Sequence, residues 1–444
     1  MTSPAATELP FHLRGNYAPV KEEITARDLP VEGAIPPGLH GLYVRNGPNP
    51  HTGSSVHWFA GDGMVHGVRL EKGLASWYRN RYVRTRSLAE GVSFVNESGE
   101  VDRRVGVSNT NVVAHAGKLF ALVESSLPMR LGPELETRGV WDFERKLTTA
   151  MTAHPKLCPA TGEMHFFGYG FTPPFLTYHR VDAAGGLVQS EVIEVPGPTM
   201  IHDFAITDRN VLFMDLPIVF SAELAMQGRF PYQWSDDYGA RLGLMPRGGH
   251  GAEVRWFEID PCYVFHPMNA FEQGGRVALD VVRYPDLWRG GPESFASASL
   301  HRFTIDLSVG GVDGRPLDDQ PIEFPRIDDR RNGLAYRFGY AVANHSSAAE
   351  APERLIKYDH ETGAALAHEF GRAQSPSEFV FVPASDGAGE DEGWLLGFVY
   401  DATRDRSDFL ILDANDFLGL PVARVRLPVR VPFGFHGNWV GEIA

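Results

Sequence analysis

Residues 200–217 read MIHDFAITDRNVLFMDLP, with two apolar runs, 204–206 and 211–214, separated by the polar residues Thr207, Asp208, Arg209 and Asn210. Short apolar runs flanking a polar turn of this kind specify strand, tight turn, strand. His202 stands at the head of the first run, between Ile201 and Asp203. A histidine at the start of a buried strand projects its ring from the end of the sheet. Three others occupy the same kind of place: His154 in TAHPKLCPATGEMHFFGY, His266 in YVFHPMNAFEQGGRVALDVV, and His436 in FGFHGNWV. Each adjoins an apolar run and a kinking residue, Pro155, Pro267, or Gly434 and Gly437.

The surrounding chain repeats the strand–turn–strand rhythm. Residues 64–70 and 75–83 form a hairpin around a turn at 71–73. Further pairs are expected between 111–115 and 119–124, 165–168 and 175–181, 255–259 and 263–266, 276–284 and 301–306, 354–359 and 365–370, and 394–400 and 408–413. Helix signals are confined to 141–150 and 221–228. No βαβ alternation occurs, which disfavours a doubly wound sheet or a parallel barrel. Roughly two dozen short antiparallel strands in an uninterrupted chain fit a radially repeating β-propeller better than a two-sheet sandwich. Gly61-Asp62-Gly63 with Gly67 superficially resembles a dinucleotide loop, but the spacing is wrong and a strand follows where that motif needs a helix.

At 444 residues the length alone would suggest about three domains of ordinary size. No linker or low-complexity stretch interrupts the chain, so a single domain over 1–444 is expected, with 1–35 as an extended N-terminal arm. Hydrophobic content of 43% is enough for a large core. The net charge of −15 argues against nucleic acid as a partner, because phosphate binding wants a basic face. The two cysteines, Cys158 and Cys262, exclude a disulfide scaffold and suit a reduced, cytoplasmic protein. The N-terminal residues lack the apolar core of a secretory signal, and no run of about 18 apolar residues suggests a membrane span.

The irregular intervals between the four histidines exclude a zinc finger or a helical H-E-x-x-H site. They fit strands that arrive from different blades and converge on one axis. Neutral imidazoles are ligands for Fe, Cu, Ni or Zn and leave a dication's charge uncancelled. Such a site wants carboxylates behind the rings, accepting the second N–H. Taken one at a time, each of these histidines reads better as a packed or solvated residue; only the four together bring the ligand reading level with it.

The motifs PPGLHGLYVRNGPNP, HWFAGDGMVHGV, TAHPKLCPATGEMHFFGY, MIHDFAIT, FHPMNAFE, EFPRID, EFVFVP and FHGNWV together resemble the carotenoid cleavage oxygenase family, from about residue 14 to the end of the chain. That resemblance implies an all-β, seven-bladed β-propeller with a loop and helix cap over the iron-bearing face. It implies a non-haem Fe(II) held by His154, His202, His266 and His436, with Glu124, Glu323 and Glu378 behind the ligands. It further implies Thr110 beside a vacant iron position and Phe265 and Phe324 along the substrate. Simple core packing explains these two aromatic residues equally well.

The implied activity is that of a dioxygenase cleaving a conjugated C=C bond of a carotenoid or apocarotenoid with dioxygen to give two carbonyl products. The alternative within the family is a lignostilbene-type enzyme acting on stilbenoids or phenylpropanoids. That branch carries a lysine directly before the first glutamate, where this chain has Val123. The retinoid isomerohydrolase outcome has no motif calling for it. From a different class, the fold could serve as a non-catalytic scaffold. Substrates of this kind live in lipid, so peripheral membrane contact is expected at the tunnel mouth, through loops near 127–131 and 216–230. The scissile bond and the oligomeric state are not legible in the sequence.

Overall fold

The computed structural model describes residues 9–96, 98–292, 294–343 and 351–441. It is a seven-bladed β-propeller whose blades are antiparallel sheets of four or more strands. Six blades follow one another along the chain. Their innermost strands are Asn111–His115, Lys156–Leu157, Ala205–Ile206, Tyr263–Gln273, Ile322–Ile327 and Val380–Pro383. In the seventh, the C-terminal strand Gly437–Val440 lies innermost, paired with Gly41–Pro48. Gly63–Glu71 and Leu74–Tyr82 continue that sheet outward.

Closure of the ring therefore joins the two ends of the chain. The N-terminal arm reinforces it: Thr25–Ala26 pairs with the outer strand of the seventh blade, and Val31–Gly33 pairs with Ala423–Arg426 at the rim of the sixth. Asn438 stitches the closing strand to the first blade, its side-chain amide donating to Asn111 Oδ1 at 2.9 Å and to Val112 O at 2.8 Å.

Stacking of the blades explains the sequence pattern. Inner and second strands are covered on both faces, so Asn210–Asp215 is buried almost throughout and reads as an unbroken apolar run. Outer strands such as Leu187–Val192 alternate between buried and exposed. Apolar side chains from neighbouring sheets interlock between the blades, for example Val68, Tyr78, Phe398 and Phe409 between the seventh and the sixth.

The hairpin at 204–214 forms as expected, Ala205–Ile206 against Asn210–Asp215. Two expectations fail. Residues 255–259 and 263–266 do not pair: Arg255–Glu258 is the outer edge of the third blade, and Tyr263–Gln273 is the inner strand of the fourth. The Asp260-Pro261 turn between them crosses from one blade to the next, and a hairpin and a crossover look alike in a single sequence. Residues 141–150 form turns instead of a helix, with Phe143, Glu144 and Arg145 at φ of 51°, 60° and 69°. The second helix signal holds: Ala222–Met226 is α-helical, its N-terminus capped by the Ser221 hydroxyl, which accepts from Leu224 N.

That helix lies between the strands of a small hairpin, Ile218–Phe220 with Tyr232–Trp234, which stands apart from the seven blades as part of the cap. Residues 127–131 belong to the first blade, with Leu127, Met129 and Leu131 buried, which removes them as a membrane-facing loop. No helix among the described residues is long and apolar enough to cross a membrane.

Asn438→Ala removes both side-chain hydrogen bonds between the closing strand and the first blade. It should destabilise the fold by about 1–3 kcal/mol, because buried backbone and amide acceptors lose their donor. A thermal melt with an unchanged midpoint would show that these bonds do not contribute to closure.

Candidate metal centre

Residues from all seven blades meet on the axis because each innermost strand begins there. Thr110, His154, His202, Glu378 and His436 lie in the one to three residues before their strands, while His266 and Glu323 lie near the starts of theirs. Local irregularities aim the last two inward. The register of the fourth blade shifts between Val264 and Pro267 and again before Asn269, around His266 and the donor-less Pro267. In the fifth blade the shift falls between Glu323 and Arg326, with Phe324 at a φ of 54°. Bulges of this kind re-aim a side chain without breaking the sheet.

The four histidines are buried, and one nitrogen from each lies within 4.8 Å of the others. His154 Nε2 and His202 Nε2 are 3.0 Å apart. Behind three rings stand carboxylates. Glu124 Oε2 is 2.8 Å from His202 Nδ1, Glu323 Oε2 is 2.6 Å from His266 Nδ1, and Glu378 Oε1 is 3.0 Å from His436 Nδ1. A carboxylate only accepts, so each of these Nδ1 atoms donates and each Nε2 keeps its lone pair for the centre.

The fourth ring differs: His154 Nδ1 is 3.9 Å from Asp203, whose carboxylate is bound by Lys156 Nζ at 2.8 Å. His266 Nε2 is buried without any hydrogen-bond partner. Four inward nitrogen donors, one of them orphaned, fit a cation at their centre.

Burial holds His154 well below the usual imidazole range, reinforced by the neighbouring histidines, and brings His436 down to about 4 against the pull of Glu378. Both are neutral, as ligation requires. Burial also opposes charge on His266, but Glu323 outweighs it and raises the imidazole. Glu323 and Glu378 are themselves lowered despite burial, by His266 and by His436 with Arg326 respectively.

Further donors fix these carboxylates. Tyr284 Oη donates to Glu323 Oε1 at 2.9 Å and Phe324 N to Oε2 at 2.6 Å, while Gly437 N donates to Glu378 Oε2 at 2.7 Å. Arg326 Nη1 lies 3.7 Å from Glu378 Oε1.

The cluster separates two cavities of opposite character. On the cap side a cavity of about 450 Å³ reaches His202, His266 and His436. Phe265, its ring 5.2 Å from that of His202, and Phe324, 5.7 Å from His266, are part of its wall, with Phe59, Phe230 and Phe435. Val123 and Thr110 also line it, and the Thr110 hydroxyl is occupied by Asn109 Oδ1 at 3.0 Å. On the opposite side a cavity of about 210 Å³ touches His154, His266 and His436 and is bordered by Lys156, Asp203, Arg326 and Asp329.

The structure thus brings every residue singled out in the sequence to one place. The sequence left Tyr284, Asp203 and Arg326 unremarked. The only signal for Tyr284 was a tyrosine closing the strand 276–284, and Arg326 sits inside the quoted EFPRID motif.

A family model described as "Retinal pigment epithelial membrane protein" matches residues 17–441. A carotenoid cleavage oxygenase of Mycobacterium tuberculosis is 39% identical over 99% of this chain and 99% of its own length. The carotenoid 9,10(9',10')-cleavage dioxygenase 1 of Arabidopsis thaliana is 35% identical over 98% of this chain and 90% of its own. Among solved structures, a Pseudomonas brassicacearum lignostilbene dioxygenase superposes with a TM-score of 0.88 at 31% identity, covering 98% of this chain and 100% of that one. Cobalt-substituted Synechocystis ACO superposes with a TM-score of 0.85 at 29% identity, covering 96% and 97%.

Glu323→Gln should weaken metal retention by roughly 10–100-fold, the range for groups that orient a ligand from behind. Metal content after dialysis against a chelator measures it. Retention equal to the unmodified protein would assign Glu323 a packing role alone.

Proposed function

The chain belongs to the carotenoid cleavage oxygenase family, described as retinal pigment epithelial membrane protein, and from that membership we propose that it is a non-haem Fe(II) dioxygenase cleaving a conjugated C=C bond of a carotenoid or apocarotenoid. The observation that carries this reading is the four-histidine cluster opening onto a largely apolar, aromatic cavity. His154, His202, His266 and His436 would hold the iron, and Glu124, Glu323 and Glu378 would hold the last three of those rings in place. When bound, Fe(II) would supply Lewis acidity and reactivity toward dioxygen.

The protein's own part is positioning. Phe265 and Phe324 flank the cluster and would hold a flat polyene across it, a near-attack geometry that contributes to rate without further chemistry. The Thr110 methyl would narrow access beside the iron to small molecules. One carbonyl oxygen of each product comes from dioxygen. The electrons of the broken C=C bond reduce it, so no flavin, nicotinamide or 2-oxoacid is needed. Apolar walls keep water from the reacting atoms, and each Å² of buried polyene contributes about 25 cal/mol to binding.

A polyene reaches the protein from lipid. Residues 216–230 supply the candidate contact, since Met226 in this stretch is 83% exposed and Phe230 lines the cavity. We place the enzyme in the cytoplasm, peripheral to a membrane, a location that suits two unpaired cysteines.

The lignostilbene dioxygenase superposition favours a second reading, stilbenoid cleavage. Val123 argues against it, because an apolar residue beside Glu124 offers a substrate phenolate no partner. The ratio of kcat/KM for an apocarotenal over a 4-hydroxystilbene should exceed one in the Fe(II)-loaded protein, and a ratio below one would promote the stilbenoid reading. Val123→Lys should lower polyene turnover by placing a costly charge at the cavity wall. His202→Ala should abolish iron retention and cleavage while leaving the circular dichroism of a β protein. Full iron occupancy and turnover in that variant would remove His202 from the ligand set.

A further inference from the structure

Glutamates orient three of the four inward imidazoles, and His154 lacks such a partner. The peptide unit in front of His154 is held instead, at both of its ends, by side chains. Asn111 Nδ2 donates to Ala153 O at 2.8 Å, and His154 N donates to the Thr152 hydroxyl at 3.2 Å. The same hydroxyl donates to His202 O at 3.3 Å. It thereby ties together the backbones of the two ligands whose Nε2 atoms stand 3.0 Å apart. Asn111 is buried, and Thr152 and Ala153 are both 0% exposed.

Both side chains are themselves fixed. Asn111 Oδ1 accepts from Val112 N at 2.8 Å and from Asn438 Nδ2 at 2.9 Å, so turning the amide over would lose both bonds. The Asn111 carbonyl accepts from Asn46 Nδ2 at 3.2 Å. Asn46 in turn brackets His436: its N–H donates to His436 O and its carbonyl accepts from Phe435 N, each at 3.0 Å. Thr152 N donates to Phe167 O at 2.7 Å, within the strand Met164–Tyr169 of the second blade. Asn111 follows Thr110 directly and opens the inner strand of the first blade. The glutamates thus grip rings from behind, whereas these bonds run around the axis from blade to blade and grip backbone.

Taking the four-histidine cluster as a divalent-metal site, as above, and whatever the substrate, we propose that Asn111 and Thr152 are positioning residues for His154. They set through the backbone the reach and direction of a ligand that no glutamate orients through its ring. The plain alternative is that the two side chains only satisfy a buried carbonyl and a buried N–H, as buried peptide groups require. Removing such bonds lowers the stability of the fold, with or without metal. Removing a positioning bond also lowers metal affinity and changes the coordination geometry, because the imidazole is then carried on a peptide that can shift.

The test is metal binding by the full chain. Fe(II) affinity is measured anaerobically by competition with a chelator, and Co(II) is added separately for its visible absorption, which reports coordination geometry. Thr152→Val removes the hydroxyl at nearly constant shape, Thr152→Ser keeps it, and Asn111→Ala supplies a second measurement should Thr152→Val fail to fold. Thr152→Val and Asn111→Ala should each weaken Fe(II) affinity by about 10–100-fold, the range for groups behind a ligand. Both should also alter the Co(II) spectrum, and Thr152→Ser should restore affinity and spectrum together. Unchanged affinity and spectrum in the first two variants, even with a lowered melting temperature of the metal-free protein, overturn the positioning role. Failure of the unmodified protein to take up either metal at the cluster overturns the metal-centre reading, and the positioning role with it. Failure to cleave polyenes would overturn neither, since no step of the measurement uses a substrate.

Discussion

Three hydrogen bonds from imidazole to carboxylate decide what this centre can be. By accepting from Nδ1, Glu124, Glu323 and Glu378 compel His202, His266 and His436 to turn their Nε2 lone pairs toward one another. Lone pairs crowded in a buried interior repel; His202 Nε2 has His154 Nε2 at 3.0 Å, but His266 Nε2 has no partner at all. Without a cation the arrangement is costly, since each unmet buried acceptor loses about 1–3 kcal/mol of hydration. The fold holds the strained state in part because two of the glutamates are anchored in turn, Glu323 by Tyr284 and Phe324 N, Glu378 by Gly437 N.

A propeller suits such a centre for a geometric reason. Each blade delivers one strand end to the axis, so seven independent positions are available at a common point without long loops. Here four are histidine, two are glutamate and one is threonine, and the remaining carboxylate, Glu124, comes from just beyond the second strand of the first blade. The cluster also forms the partition between an aromatic chamber and a charged one.

The sequence made the inner strands legible because a strand covered on both faces is an unbroken apolar run, and its first residue is then conspicuous when it is histidine. Glu323 and Glu378 were visible only through their motifs, since a lone glutamate before an apolar run reads as surface. Tyr284 and Arg326 were not visible, because their partners lie across blade boundaries that no local pattern encodes. The same boundary misled the pairing of 255–259 with 263–266. A turn that crosses between blades uses the same Asp-Pro chemistry as one that closes a hairpin. The expected helix at 141–150 failed: Phe143, Glu144 and Arg145 adopt left-handed backbone, and Phe143 packs against Phe166 of the second blade, so tertiary context overrides helix propensity.

The fourth histidine shows why the set is asymmetric. His154 has no bonded glutamate; the nearest carboxylate, Asp203, is 3.9 Å away and already neutralised by Lys156. Its Nδ1 therefore lacks the bonded carboxylate that orients each of the other three rings. It is also the one histidine that borders only the polar cavity, while His202 borders only the aromatic one. On the aromatic side His202 is thus held from behind by Glu124, whereas on the polar side His154 has only Asp203 at 3.9 Å.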